Sequence, residues 1–559
     1  MKLSSNKALL VFIVTSCLYA QHYGPSRFLL ESTVQDTFLS QGLQSNIVAE
    51  IRLMGDSLTW FGTGRGLALH DGKKIYHHRS NPLGSFNNGE ATNFLPEGGI
   101  PAIAVMHDTM AVAFSGDNGT IQVGYGIALT YDGQMVVGSS GIDWIYLDQP
   151  VDVESDSIKP FGEGFYKTLP VTVSEANVTY DAYLNKDYLW TASWAGGLRR
   201  YDLNSRIWES VPLPMDHQDS LDFCNGFDTI DDYGRPMISG YYLNPRDPAN
   251  GGNHNHKAFS VLVDGDTVWV GTANGLNRGV MINEWDGAQL YNCINWNHFS
   301  YNSNPDYSVL TGNFVVGIAK QVWNGNTTIW AATKIADSQG EMNGLSYTRD
   351  GGTSWNTTLL GEKVYNITAR DSLIFASSES GLWKSFDGNN WALFNSAIDT
   401  TFMSTGEVLS EIVYASELDE RFGIPKLWIG TNDGIALSAD LNGSNWTIFQ
   451  TEYDSTEFYA YPNPFSPIYH NQKSGEGYVR FHTGSIFNTS VELDVYNFAM
   501  EKVYQKKFDL NSYDGVLKWN GRDLNGDFVH NGVYFIRLRY APSSGMSPQY
   551  FWDKLIVVK

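Results

Sequence analysis

Apolar residues in this chain fall in short runs, about four to six long, bounded by Gly, Asp and Asn, a pattern that predicts strands rather than helices. The runs carry a recurring phrase: Trp, one residue, Gly or Ala, Thr or Ser, a few turn residues, then Gly-Leu or Gly-Ile. Copies stand at Trp60–Thr63 with Gly66-Leu67, Trp190–Ser193 with Gly197-Leu198, and Trp269–Thr272 with Gly275-Leu276. Three more follow at Trp330–Thr333 with Gly344-Leu345, Phe375–Ser378 with Gly381-Leu382, and Trp428–Thr431 with Gly434-Ile435. A degenerate copy spans Met110 to Ser115, with Gly126-Ile127 after a longer gap. A period of about 40 to 60 residues, each unit built only of strands and turns, predicts radial β-repeats.

The seven units lie between Ile47 and Gln450 and predict an all-β, seven-bladed β-propeller over residues 45–450. Small residues after the Trp fit an inner strand, where backbones converge on the axis. Residues 21–44 form an N-terminal segment in which Phe38 to Leu43 are expected to close the last blade. The units are unevenly spaced, and the excess falls in an insertion over 216–257 rich in Asp, Asn, Gly, Pro and Tyr. Later units end in Thr348-x-Asp350-x-Gly352-x-x-Trp355, Ser385-x-Asp387-Gly388-x-x-Trp391 and Ser438-x-Asp440-x-x-Gly443-x-x-Trp446. Asp and Gly favour the hairpin turn in each, and the Trp packs beneath it. In these motifs the chain resembles the two-component-regulator propellers and the Asp-box propellers. The resemblance covers residues 45 to 450 and implies fold rather than chemistry.

From Ala460-Tyr-Pro462-Asn463-Pro464-Phe465 the character changes. Residues 451–467 read as a stiff Pro-rich linker, and 468–559 as alternating strands of a small β-sandwich. This tail resembles the Ig-like domain of the flagellar hook-capping family, in the version attached to surface proteins as a type IX secretion (type A) sorting domain. The matching residues are Pro462, Asn463 and Pro464, Trp519, Gly521 and Asp523, Gly532, and Lys554 in the closing Lys-x-x-Val-Val-Lys. The resemblance implies recognition by the outer-membrane secretion machinery, with removal or anchoring at the surface to follow.

Of 559 residues, 60 are Asp or Glu against 37 Lys or Arg, a net charge of −23 that disfavours nucleic-acid binding. Residues 1–20 have the form of a signal peptide: Lys2 and Lys7, then an apolar run from Ala8 to Val14, then Ala20 before Gln21. A lipobox-like Val14-Thr-Ser-Cys17 offers lipid anchoring through Cys17 as the alternative. No later stretch is long and apolar enough for a transmembrane span. Export to the cell surface or beyond is expected. Cys224 and Cys293 could pair or remain free thiols.

No catalytic motif, phosphate loop or cofactor fingerprint is present, so no catalytic residue, metal or cofactor is assigned. Sialidase-type chemistry would need an arginine cluster, for which Arg65, Arg199, Arg200 and Arg349 are candidates. His254-Asn-His256 would put two imidazoles on one strand face, with Asp216, Asp219, Asp222, Asp231 and Asp232 near; solvated loop residues are the simpler account. Aromatics cluster in the insertion and in a loop from Tyr291 to Tyr307, with blade packing as the competing role. Tyr241, Tyr242, His254, His256 and Trp296 are therefore the candidate ligand-binding residues, for a glycan or a protein ligand. The expected function is a non-catalytic recognition platform. The alternatives are a propeller-type glycoside hydrolase or lyase, and an accessory part of the surface secretion machinery.

Overall fold

The computed structural model describes residues 39–559 apart from 82–85, 118–120, 135–141, 175–176, 286–289, 305–308, 337–338, 395–396, 398–406, 452–457, 484–485, 487–488, 511–515 and 542–546. The signal segment, Cys17, most of the N-terminal segment and Tyr307 lie outside the described residues. The chain divides into two units, one of residues Thr37–Ala397 and Ile412–Thr451, the other holding 407–411 and the C-terminal hundred residues.

The first unit is a seven-bladed propeller. Its inner strands are Val48–Met54, Gly99–Met106, Thr179–Leu184, Ala258–Asp264, Phe314–Trp323, Val364–Arg370 and Val413–Asp419. Each pairs antiparallel with the strand that follows it, and each packs against the next inner strand around the ring, the seventh meeting the first. Every blade takes its four main strands from one contiguous stretch, so no strand is left for another segment to supply. Leu39–Gln41 therefore does not close the last blade: it pairs with Ile75–His78 as a fifth, outermost strand of the first. Ala91–Thr92 and Ser220–Asp222 extend the second and fourth blades in the same way.

The recurring phrase lies on the second strand of each blade, not the inner one as expected, and hydrogen bonding accounts for its residue types. The hydroxyls of Thr63, Thr272, Thr333, Ser378 and Thr431 donate to the carbonyl oxygens of Gly66, Gly275, Gly344, Gly381 and Gly434, at 2.7 to 3.2 Å. In four of these turns the same hydroxyl also accepts a backbone N–H two residues on. The glycine turns the chain back at positive φ, 81° at Gly66 and 112° at Gly434, where a side chain would strain. The Trp is buried between blades, which are tiled by shared apolar clusters. Thr431→Val keeps the shape and removes both hydrogen bonds of a fully buried hydroxyl. It is expected to cost about 2 kcal/mol in urea denaturation, and a loss below a few tenths would show the hydroxyl to be dispensable.

The Asp–Gly–Trp segments form the hairpins joining third and outer strands in blades five, six and seven. In each, the indole N–H donates to the glycine carbonyl: Trp355 to Gly352, Trp391 to Gly388 and Trp446 to Gly443. The carboxylates of Asp350, Asp387 and Asp440 accept the turn's N–H groups.

The second unit is a two-sheet sandwich. Phe458–Tyr461, Val479–Thr483 and Lys518–Trp519 form one sheet. Lys502–Asp509, Ser490–Tyr496, Gly532–Tyr540 and Gln549–Val557 form the other, in that spatial order. Phe465, Val479, Leu493, Trp519, Ile536, Leu555 and their neighbours fill the core between them. The Pro-rich segment is part of this unit rather than a free linker. Asn463 donates to the Lys554 carbonyl and accepts from Ile556 N–H, and Val558 N–H donates to the Phe465 carbonyl. Asp523 caps its own turn by accepting from Asn525 and Asp527 N–H, after Gly521 at positive φ.

Candidate functional site

All connections between blades, and all second-to-third-strand turns, lie at the end where the inner strands begin; we call this the entry face. It follows from the antiparallel strand order alone. At this end every inner strand carries one extra residue, a β-bulge repeated in all seven blades. A bulge re-aims the side chain it carries. In four blades that residue is aromatic: Tyr180, Phe259, Tyr365 and Tyr414. Phe259 meets Tyr180 at 5.2 Å, Phe314 at 4.4 Å and Trp194 at 5.5 Å between ring centres. Tyr365 meets Tyr414 at 5.3 Å, with the Lys334 ammonium 4.4 Å above it.

The insertion rises from the same face. Thr229–Ile230 and Pro236–Leu243 form a four-stranded sheet with Ile158–Phe161 and Gly164–Thr168, the junction being parallel. The 158–168 strands come from the connection between blades two and three, which carries no repeat signal. Their aromatics Phe161 and Tyr166 pack on Phe223 and Tyr241. Cys224 and Cys293 are bonded to each other, tying the insertion to the fourth blade, with their Cα atoms 5.2 Å apart.

This arrangement separates the five candidate residues. Tyr241 is buried with its hydroxyl donating to the Leu213 carbonyl. Trp296 is fully buried on Leu290–Phe299, a strand flanked on both sides, so most of the expected aromatic loop is blade. His254–His256 is a 3₁₀ turn, not a strand, and the two imidazoles do not share a face. His256 is buried, accepting from Asn244 N–H at Nδ1 and facing the Leu213 carbonyl at Nε2. Burial pushes its pKa down to about 4, keeping it neutral. Tyr242 and His254 remain at the surface. The insertion's acids cap turns: Asp216 accepts from His254 and Asn255 N–H, Asp222 from Cys224 and Asn225, Asp231 from Tyr233 and Arg235. Among the described residues no group of His, Cys, Asp and Glu could hold a metal ion.

What the insertion does present is an open depression of about 550 Å³ lined by Trp194, Pro245, Arg246, Asp247, Asn250 and Lys257. Trp194 sits in the third blade's second-to-third-strand turn, and the Lys257 ammonium lies 4.9 Å from its ring centre. Lys257 donates to Asp247 at 2.5 Å, and this hydrogen bond first holds the Asp247 carboxyl below its usual range. His254 stands 3.6 Å from the same carboxylate.

A second constellation lies on the inner strands of blades one, three and seven. Arg52 pairs with Glu50 at 2.8 Å and lies within electrostatic range of Asp181 and Glu417. Burial pushes Glu50 and Glu417 up to about 7 and Asp181 up to about 6, each against the lowering pull of Arg52. The four arginines considered for sialidase chemistry do not converge. Arg199 is buried against Asp152 at 2.9 Å, and Arg200 against Glu209 at 2.6 Å among the rings of Phe161, Tyr188 and Trp190. Arg65 is in a second-to-third-strand turn and Arg349 in a third-to-outer one, at opposite ends of their blades.

No protein-family model and no curated protein matches the sequence. Among solved structures the chain is similar to PorZ, a bacterial surface component of the type IX secretion system of Porphyromonas gingivalis: 16% identity, 92% of this chain and 66% of that one, TM-score 0.33. It is similar to YCF48 from Cyanidioschyzon merolae, with 13% identity over 72% of this chain and 98% of that one, TM-score 0.35. A third likeness is the extracellular domain of the putative hybrid two-component system BT3049 from B. thetaiotaomicron: 11% identity, 91% and 72% coverage, TM-score 0.25. The propeller assignment rests on the strand pairing itself.

Proposed function

We propose that this chain is an exported surface protein whose propeller is a non-catalytic recognition platform for a glycan. The observation that carries the reading is the depression at Trp194. An indole beside Arg246, Asp247 and Asn250 suits a sugar ring, whose apolar face stacks while its polar groups meet amide, carboxylate and guanidinium partners. Tyr242 and His254, on the same insertion, retain surface to contribute. The C-terminal sandwich, through Pro462, Asn463, Pro464, Trp519, Gly521, Asp523, Gly532 and Lys554, reads as the sorting domain of the type IX outer-membrane machinery. In a glycan array, Trp194→Ala with Arg246→Ala is expected to weaken binding about tenfold or more, as for loss of a central aromatic and Arg anchor. Binding unchanged in a variant with the wild-type melting curve would place the ligand elsewhere.

The inner-strand carboxyls Glu50 and Glu417 favour a second reading, a glycan-active enzyme, since a carboxyl that titrates near 7 can serve as a general acid. Hydrolysis of an arrayed glycan that is lost in Glu50→Gln or Glu417→Gln, and kept in Trp194→Ala, would select it.

A further inference from the structure

We propose that the C-terminal sandwich grips residues 407–411 as an acidic peptide supplied by the same chain, so that a cut between Thr451 and Phe458 does not release the sandwich. In sequence this peptide lies between blades six and seven, yet it clusters with the second unit, while Ala397 before it and Ile412 after it belong to the propeller. Glu407, Val408, Leu409 and Ser410 are all buried. The Glu407 carboxylate accepts from Lys473 and, at 2.7 Å, from Lys518. Its main-chain oxygen accepts from the Arg480 guanidinium at 2.6 Å, and Arg480 is itself 1% exposed. At the far end Glu411 N–H donates to the Gln472 carbonyl at 3.0 Å, and Ser474 N–H donates to the Glu411 carboxylate at 2.8 Å.

Three cations from two segments of the sandwich thus converge on one glutamate, and two apolar side chains beside it are removed from water. Burial raises the Glu407 carboxyl, but the Lys473 and Lys518 hydrogen bonds more than reverse this and hold it below its usual range. It therefore stays ionised at neutral pH. The chain connects propeller and sandwich through this peptide as well as through the 452–457 segment. Severing the latter leaves the former in place. This holds whether or not the sandwich is a sorting domain.

The test places a site-specific protease sequence within 452–457 of the full chain and follows the pieces by gel filtration after cutting. The two pieces of the unaltered chain are expected to co-elute. Glu407→Ala with Glu411→Ala should release the C-terminal piece about thirtyfold faster or more, the effect of deleting one partner of a buried, hydrogen-bonded charge pair. Glu407→Gln, which keeps the shape and loses the charge, should fall between and guards against a double variant that fails to fold; the uncut chains are compared by melting. Release from the unaltered chain as fast as from the variants, or equal retention by all three, overturns the proposal.

Discussion

Replacing Cys224 and Cys293 together by alanine is expected to lower the stability of the propeller by about 4 kcal/mol. The bond closes a loop of 69 residues, and the loss of unfolded-chain entropy for a loop of that size is about 4 kcal/mol at 25 °C. What it ties down explains why that entropy matters. The loop contains two strands of the insertion sheet, Thr229–Ile230 and Pro236–Leu243, and the 3₁₀ turn at His254–His256. These meet the fourth blade through the polar contacts of Asn255 with Asn277 and Thr272 and through an apolar core that joins Tyr241 to Val261, Ile294 and Trp296. Urea unfolding with and without reductant checks it. Reductant should destabilise the unaltered protein by the same amount and leave the double variant where it is. A variant as stable as the oxidised parent would show that the insertion needs no covalent tie.

The repeat was readable because its chemistry is local. A Thr or Ser hydroxyl three residues before a positive-φ glycine closes one turn, so residue types and spacing survive together in four of the seven blades. The cysteine pair was not, because pairing depends on a turn and a strand meeting across 69 residues. The 158–168 strands were missed for another reason: they form a hairpin about Gly162-Glu163 that carries no copy of the repeat phrase, and its second strand pairs in parallel with a distant insertion strand. Composition marked the 216–257 insertion as irregular and aromatic, but composition carries no facing. Tyr241, His256 and Trp296 turned inward, while Trp194, embedded in a repeat copy, turned outward to the depression. The charges on the inner strands had a faint signal. Val48-Ala-Glu-Ile-Arg and Val413-Tyr-Ala-Ser-Glu place charges in runs otherwise apolar or small, just before a second-strand phrase. Nothing local says that Glu50, Asp181 and Glu417 meet one arginine.

That arginine supports the last expectation. Arg52→Met preserves length and apolar stem but removes the cation whose charge lowers all three carboxyls. A carboxyl whose folded pKa lies above its unfolded value binds more protons folded than unfolded. Its contribution to stability therefore falls as pH rises from the unfolded pKa to the folded one and is constant above. In the unaltered protein this window runs from about 4 to about 7. Without Arg52 its upper end moves to higher pH, so the penalty for ionising the cluster keeps growing where the parent's has levelled off. The loss is expected to reach about 3 to 5 kcal/mol at pH 8, the cost of leaving buried charge uncompensated, and to be markedly smaller at pH 5.5. The parent's own pH curve would hide this. His70, His78 and His256 are pushed down to about 4 by burial, so they add stability with rising pH between about 4 and 6.5 and offset the carboxyls. The difference between variant and parent cancels the histidines, which Arg52→Met leaves untouched. Denaturant midpoints for both proteins at pH 5.5 and 8 give the comparison. An equal loss at the two pH values would mean that the three carboxyls do not depend on Arg52.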